Sequence, residues 1–99
     1  MLTAPTTGTL SIRASDQGRE IFLEPTPMTI ANLSEILAEL RIDESRRSFP
    51  VADLLRRLQA YMKQRGWFDP EDWLCHAIRS IELICERALR RNATSISFS

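Results

Sequence analysis

The stretch from Asp69 to Arg91 constrains this chain more than any other. Asp69 followed by Pro70 reads as a helix N-cap and first helical residue, and Glu71 and Asp72 set negative charge on the positive end of the helix dipole. Phe68 and Trp73 have the spacing of a hydrophobic staple across that start. Trp73, Leu74, Ala77, Ile78, Ile81, Ile84, Cys85, Ala88 and Leu89 then recur at the helical period and span about 160°. Arg87, Arg90 and Arg91 favour the negative far end. A helix with one partner needs a narrower stripe than this. The helix, about 70–91, is therefore expected to be central, packing on both other helices or on a second copy of itself.

Two more amphipathic helices precede it. Over about 29–41, Ile30, Leu33, Ile36, Leu37 and Leu40 share one arc opposite Glu35 and Glu39, with Thr29 or Asn32 as N-cap. Over about 50–65, Val51, Leu54, Leu55, Leu58, Tyr61 and Met62 share one arc. Pro50 suits the first turn of that helix after Ser48 or Phe49, and Gly66 suits a left-handed end. Residues 43–48 read as a polar linker.

Toward the N-terminus the pattern changes to alternation. Leu10, Ile12 and Ala14 fall on one face of a strand, and Ile21 and Leu23 on one face of another with Phe22 opposite. Between them Ser15–Arg19 forms a loop in which Gly18 can take a positive φ, and Pro25 and Pro27 end the second strand. Residues 1–8, rich in Thr, Pro and Gly, read as a disordered tail. Residues 92–99 alternate Ile96 and Phe98 with Ser, and are either a frayed tail or a short third strand. The expected fold is mainly α (α+β), with the hairpin as its β part: one domain over 9–91 with three amphipathic helices and an N-terminal β-hairpin over 9–24.

Charge divides along the chain. The 13 basic and 13 acidic residues cancel, yet residues 1–44 are acidic by four and residues 45–99 basic by four. Such halves can attract each other within a chain or between copies. Only one of the cations is Lys, and Arg suits interfaces and phosphates. No apolar run is long enough for a transmembrane helix, and the N-terminus has no signal-peptide pattern. A cytoplasmic location with reduced thiols is expected.

Catalytic and metal patterns are missing from the sequence. The three glycines stand apart, so no phosphate loop is formed, and there is no paired-cysteine or His-Glu-x-x-His spacing. Cys75 and His76 are neighbours on a helix and point about 100° apart, which disfavours a shared ion or a thiol with its base. Cys75 falls on the polar arc one turn before Arg79, which makes it the candidate redox thiol. Neither an enzyme nor a cofactor is expected. The expected function is a protein-interaction or regulatory module, a homodimer through the third helix, with Trp67, Phe68, Trp73, Ile78, Leu83 and Leu89 as interface candidates. The alternative is a nucleic-acid-binding regulator using Arg46, Arg47, Arg56, Arg57, Arg87, Arg90 and Arg91.

Overall fold

The computed structural model describes residues 8–23 and 26–99. It corrects the expected fold class: the chain is an α+β fold in which a five-stranded antiparallel sheet, not a lone hairpin, faces three helices. The elements are β1 (Thr9–Asp16), β2 (Arg19–Ile21), β3 (Pro27–Thr29), α1 (Ile30–Glu39), β4 (Ser48–Pro50), α2 (Val51–Arg65), α3 (Trp73–Arg90) and β5 (Ser95–Phe98). Glu24 and the tail over residues 1–7 lie outside the described residues. Gly8 is placed: its carbonyl accepts from the Ile30 N–H at 2.9 Å, and a Cβ there would meet the Ile30 side chain.

β1 is the long strand, and its two edges are filled differently. Its C-terminal half pairs with β2 (Ala14 opposite Ile21) and its N-terminal half with β3 (Leu10 opposite Met28). The two partners occupy one edge in succession, and Pro27, which has no N–H to give, sits at the open side that tolerates it. The other edge of β1 takes β5, with Ile12 opposite Phe98 and Ala14 opposite Ile96. β5 in turn pairs with β4, Phe49 opposite Ile96. The C-terminal tail is thus an interior strand of the sheet.

Alternation sorts the two faces. Ile12, Ala14, Phe49, Ile96 and Phe98 are buried beneath the helices, and the Phe49 and Phe98 rings meet edge to face at 5.9 Å. Ser11, Arg13, Ser15, Ser48, Ser95 and Ser97 stand on the opposite, open face, where Arg13 and Glu20 pair at 3.1 Å. The hairpin turn holds two residues rather than five. Gln17 and Gly18 have φ of 50° and 83°, the pair of left-handed residues that matches strand twist.

Helix ends explain most boundaries. Thr29 caps α1 by accepting from the Asn32 N–H at 3.1 Å. α1 and α3 both finish in Schellman turns. Ile42 N–H donates to the Leu37 carbonyl and Ala93 N–H to the Ala88 carbonyl, with Arg41 (φ 59°) and Asn92 (φ 63°) in the left-handed position. Arg there costs on the order of 1 kcal/mol relative to Gly. Gly66 ends α2 with φ 89°. α3 begins three residues later than its Asp-Pro signal implies. Asp72 is the cap, accepting from Leu74 N–H, while Asp69 accepts from Glu71 N–H and holds a turn. Phe68 consequently packs on His76, ring centroids 4.8 Å apart, in place of a staple to Trp73.

α2 and α3 run antiparallel. Arg65 pairs with Asp72 at 2.9 Å at one end, and Val51 N–H donates to the Thr94 carbonyl at the other. Leu54, Leu58, Ile78, Ile81, Cys85 and Ala88 fill the core between these helices and the sheet, and Leu33, Ile36 and Leu37 of α1 close it.

Candidate functional site

The buried face of α3 is not the one its hydrophobicity draws. Cys75, Ile78, Ile81, Glu82, Cys85 and Ala88 are the buried residues. At 100° per residue their centre lies about 50° round from the centre of the apolar arc. One side of the turned helix takes Cys75 and Glu82 inward; the other leaves Trp73 exposed and Ala77 and Ile84 half-buried at the margin of the core. Glu82 is accommodated because Arg79 donates to its carboxylate at 2.8 Å.

Those three displaced residues line a groove of about 230 Å³ whose far wall is Pro27 and Met28 of β3 and Ile36 of α1. Trp73 is 44% exposed at its mouth. The groove exists because α1 meets α3 only lightly, while α2 packs closely along it. Further along the same side of α3, Arg87 and Arg91 line a second hollow with Leu23 and Phe22, which is 75% exposed. Arg91 donates to the Phe22 carbonyl at 2.7 Å and ties the end of α3 to the hairpin.

The interface candidates separate. Ile78 is fully buried and cannot contact a partner, which removes it from the set. Trp73 belongs to the groove. Trp67, 63% exposed, stands in the α2–α3 turn with the Arg65 guanidinium 6.0 Å from its ring. Phe68, Leu83 and Leu89 are exposed in part, but Leu83 lies about 80–120° round the helix from the groove residues Trp73, Ala77 and Ile84. Ala77, Ile84, Met28 and Pro27 are the site residues that sequence reasoning missed. The first two carried a signal, a repeat with Trp73 at helical spacing on one margin of the arc.

Cys75 is also misplaced by the helical wheel. It is fully buried, so the redox reading loses its exposed thiol. Cys85 is buried as well, and burial, with Glu82 and Glu86 adding to it, pushes its thiol up to about 12. Both thiols are expected to resist alkylation by iodoacetamide in the folded protein and to react together once it is unfolded in urea. Fast labelling of Cys75 alone in native buffer, read by mass spectrometry, would contradict this placement.

The arginines of the alternative reading gather toward one end of the α2–α3 pair. Arg46 stacks on Phe49 at 4.6 Å and donates to the Ser48 carbonyl; Arg47 donates to the Glu44 carbonyl. Arg56 and Arg57 both bond Asp53, at 2.6 and 3.4 Å, and hold its carboxyl below the usual range, Arg56 being the larger cause. Arg87, Arg90 and Arg91 close α3. Most of these guanidiniums are already engaged by the chain itself.

Among the described residues no group of three or more His, Cys, Asp or Glu is placed to hold a metal ion. Nor is any helix among them long and apolar enough to cross a membrane. No protein family, curated protein or solved structure matches the chain.

Proposed function

We propose that the chain is a small, non-enzymatic protein-interaction module of the cytoplasm that self-associates through the groove side of α3. One observation carries the reading: Trp73, Ala77 and Ile84 form an apolar margin on a helix whose core-facing side is already complete. A second copy is the occupant that fits. α3 begins beside Glu71 and Asp72 and ends at Arg87, Arg90 and Arg91. Two such helices laid antiparallel oppose acidic start to basic end twice, the self-complementarity of a two-fold interface, and their dipoles agree. The free thiols suit a reducing compartment.

Sedimentation tests this directly. The expected species is a dimer of the 11.4 kDa chain. Trp73→Ala is expected to weaken it by about 2 kcal/mol, roughly 30-fold in Kd. Glu71→Arg and Arg91→Glu should each weaken it, and their combination should recover much of the loss. A monomer at millimolar concentration would remove the reading.

The convergence of Arg46, Arg47, Arg56, Arg57, Arg87, Arg90 and Arg91 toward one end supports a second reading, a nucleic-acid-binding regulator. It requires affinity that falls steeply with salt. Absence of binding to mixed DNA and RNA at low salt would end it.

A further inference from the structure

A cleft of about 590 Å³ lies between the end of α1 and the second half of α2, apart from the α3 groove. Glu39, Leu40 and Arg41 form one wall, and Arg57, Ala60, Tyr61 and Arg65 face them. That volume is within the range that holds a small organic molecule. Three guanidiniums and one carboxylate line it, and the carboxylate of Glu39 is occupied by the Tyr61 hydroxyl, which donates to it at 3.2 Å.

Two of the guanidiniums, Arg57 and Arg65, are held by carboxylates, and the third, Arg41, is not. Asp53 accepts from the Arg57 Nε at 3.4 Å and leaves its terminal nitrogens. Asp72 accepts from one terminal nitrogen of Arg65 at 2.9 Å, and Asp69 lies 3.9 Å from the same nitrogen. Arg41 has no side-chain hydrogen bond or ion pair among the described residues. It occupies a left-handed turn position, φ 59°, that favours glycine. A free arginine at a glycine position, facing two more arginines, points to a ligand.

We propose that this cleft binds a small organic phosphate, its dianion held by Arg41, Arg57 and Arg65 and its body against Leu40, Ala60 and the Tyr61 ring. The lining carries an excess of two positive charges, and a phosphate monoester carries about −1.5 to −2 at neutral pH. A carboxylate is satisfied by a single guanidinium fork, so three guanidiniums lining one cleft suit the larger anion. A nucleic-acid backbone needs a basic track that continues, whereas Asp43 and Glu44 follow Arg41 within three residues.

Phenyl phosphate is the probe, with inorganic phosphate and benzoate as comparisons, titrated into the ¹⁵N-labelled full chain. Amide shifts are expected to concentrate at residues 39–41 and 57–65. Phenyl phosphate should bind at least about tenfold more tightly than either comparison. Arg41→Gly should weaken it by about tenfold or more while the melting temperature holds or rises, because glycine suits that turn. No shifts at millimolar phenyl phosphate, equal affinity for benzoate or inorganic phosphate, or unchanged binding by Arg41→Gly would each overturn the proposal.

Discussion

Deletion of residues 95–99 is expected to leave the chain unfolded at room temperature. β5 lies between β1 and β4, so its loss removes two strand pairings at once. Ile96 and Phe98 leave the core with it, and the Phe49 ring loses its edge-to-face partner. Truncating one buried Ile costs about 2–5 kcal/mol and one buried Phe about 3–5 kcal/mol. Together these approach the whole stability of a small domain, about 5–15 kcal/mol. Phe98→Ala alone should lower the melting temperature by roughly 12–40 °C, from about 3–5 kcal/mol at 4–8 °C per kcal/mol. Ser97→Ala, on the open face of the same strand, should change stability by less than about 0.5 kcal/mol. Circular dichroism melts decide it: a deletion variant with a cooperative transition near that of the full chain would show that β5 is dispensable.

The same strand shows what the sequence could and could not disclose. Helices announce themselves by repetition, and all three lie close to where the 3.6-residue period puts them. The sheet has no such redundancy. β3 and β4 are three residues long, and a period-2 pattern cannot establish itself in three positions. Phe49, fully in the core, reads locally as one apolar residue between a polar linker and a helix. β5 did carry alternation, Ile96 and Phe98 among serines, but the usual fraying of termini masked its central place. Nothing in the local pattern states that a tail will enter a sheet between two other strands.

The groove on α3 was legible in part for a related reason. The breadth of the apolar arc was visible and correctly implied more than one packing partner. Which part of that arc faces inward depends on where α2 and the sheet lie, and a helical wheel carries no such information. The turn toward Cys75 and Glu82 is possible because a thiol packs as a small apolar group and Arg79 satisfies the carboxylate. It brings Cys75 and Glu82 inward and leaves Trp73 exposed and Ala77 and Ile84 half-buried at the margin of the core. The Arg cleft was hidden more completely, because Arg41 is distant from Arg57 and Arg65 in sequence, and only the placement of α1 beside α2 joins them.

Raising the pH is expected to destabilise the fold through Cys85. Burial, followed by the nearby carboxylates of Glu82 and Glu86, lifts this thiol from its ordinary 9.0 to about 12. Between those values an unfolded chain has released a proton that the folded one retains. The folded state therefore binds more protons there, so the contribution is full below pH 9 and declines as pH rises toward 12. The slope approaches about 1.4 kcal/mol per pH unit, so roughly 2.5 kcal/mol is lost by pH 11. The Tyr61 hydroxyl, which burial pushes up, also titrates at alkaline pH, and comparison with Cys85→Ala cancels such contributions. At pH 8 the variant should be less stable by about 1–2 kcal/mol, from lost packing. By pH 11 that gap should close or invert, as read from urea unfolding at each pH. Parallel stability curves for the two proteins would mean that water reaches the thiol in the folded state, and that α3 is not packed against α2 and the sheet as tightly as Glu82 and Cys85 require.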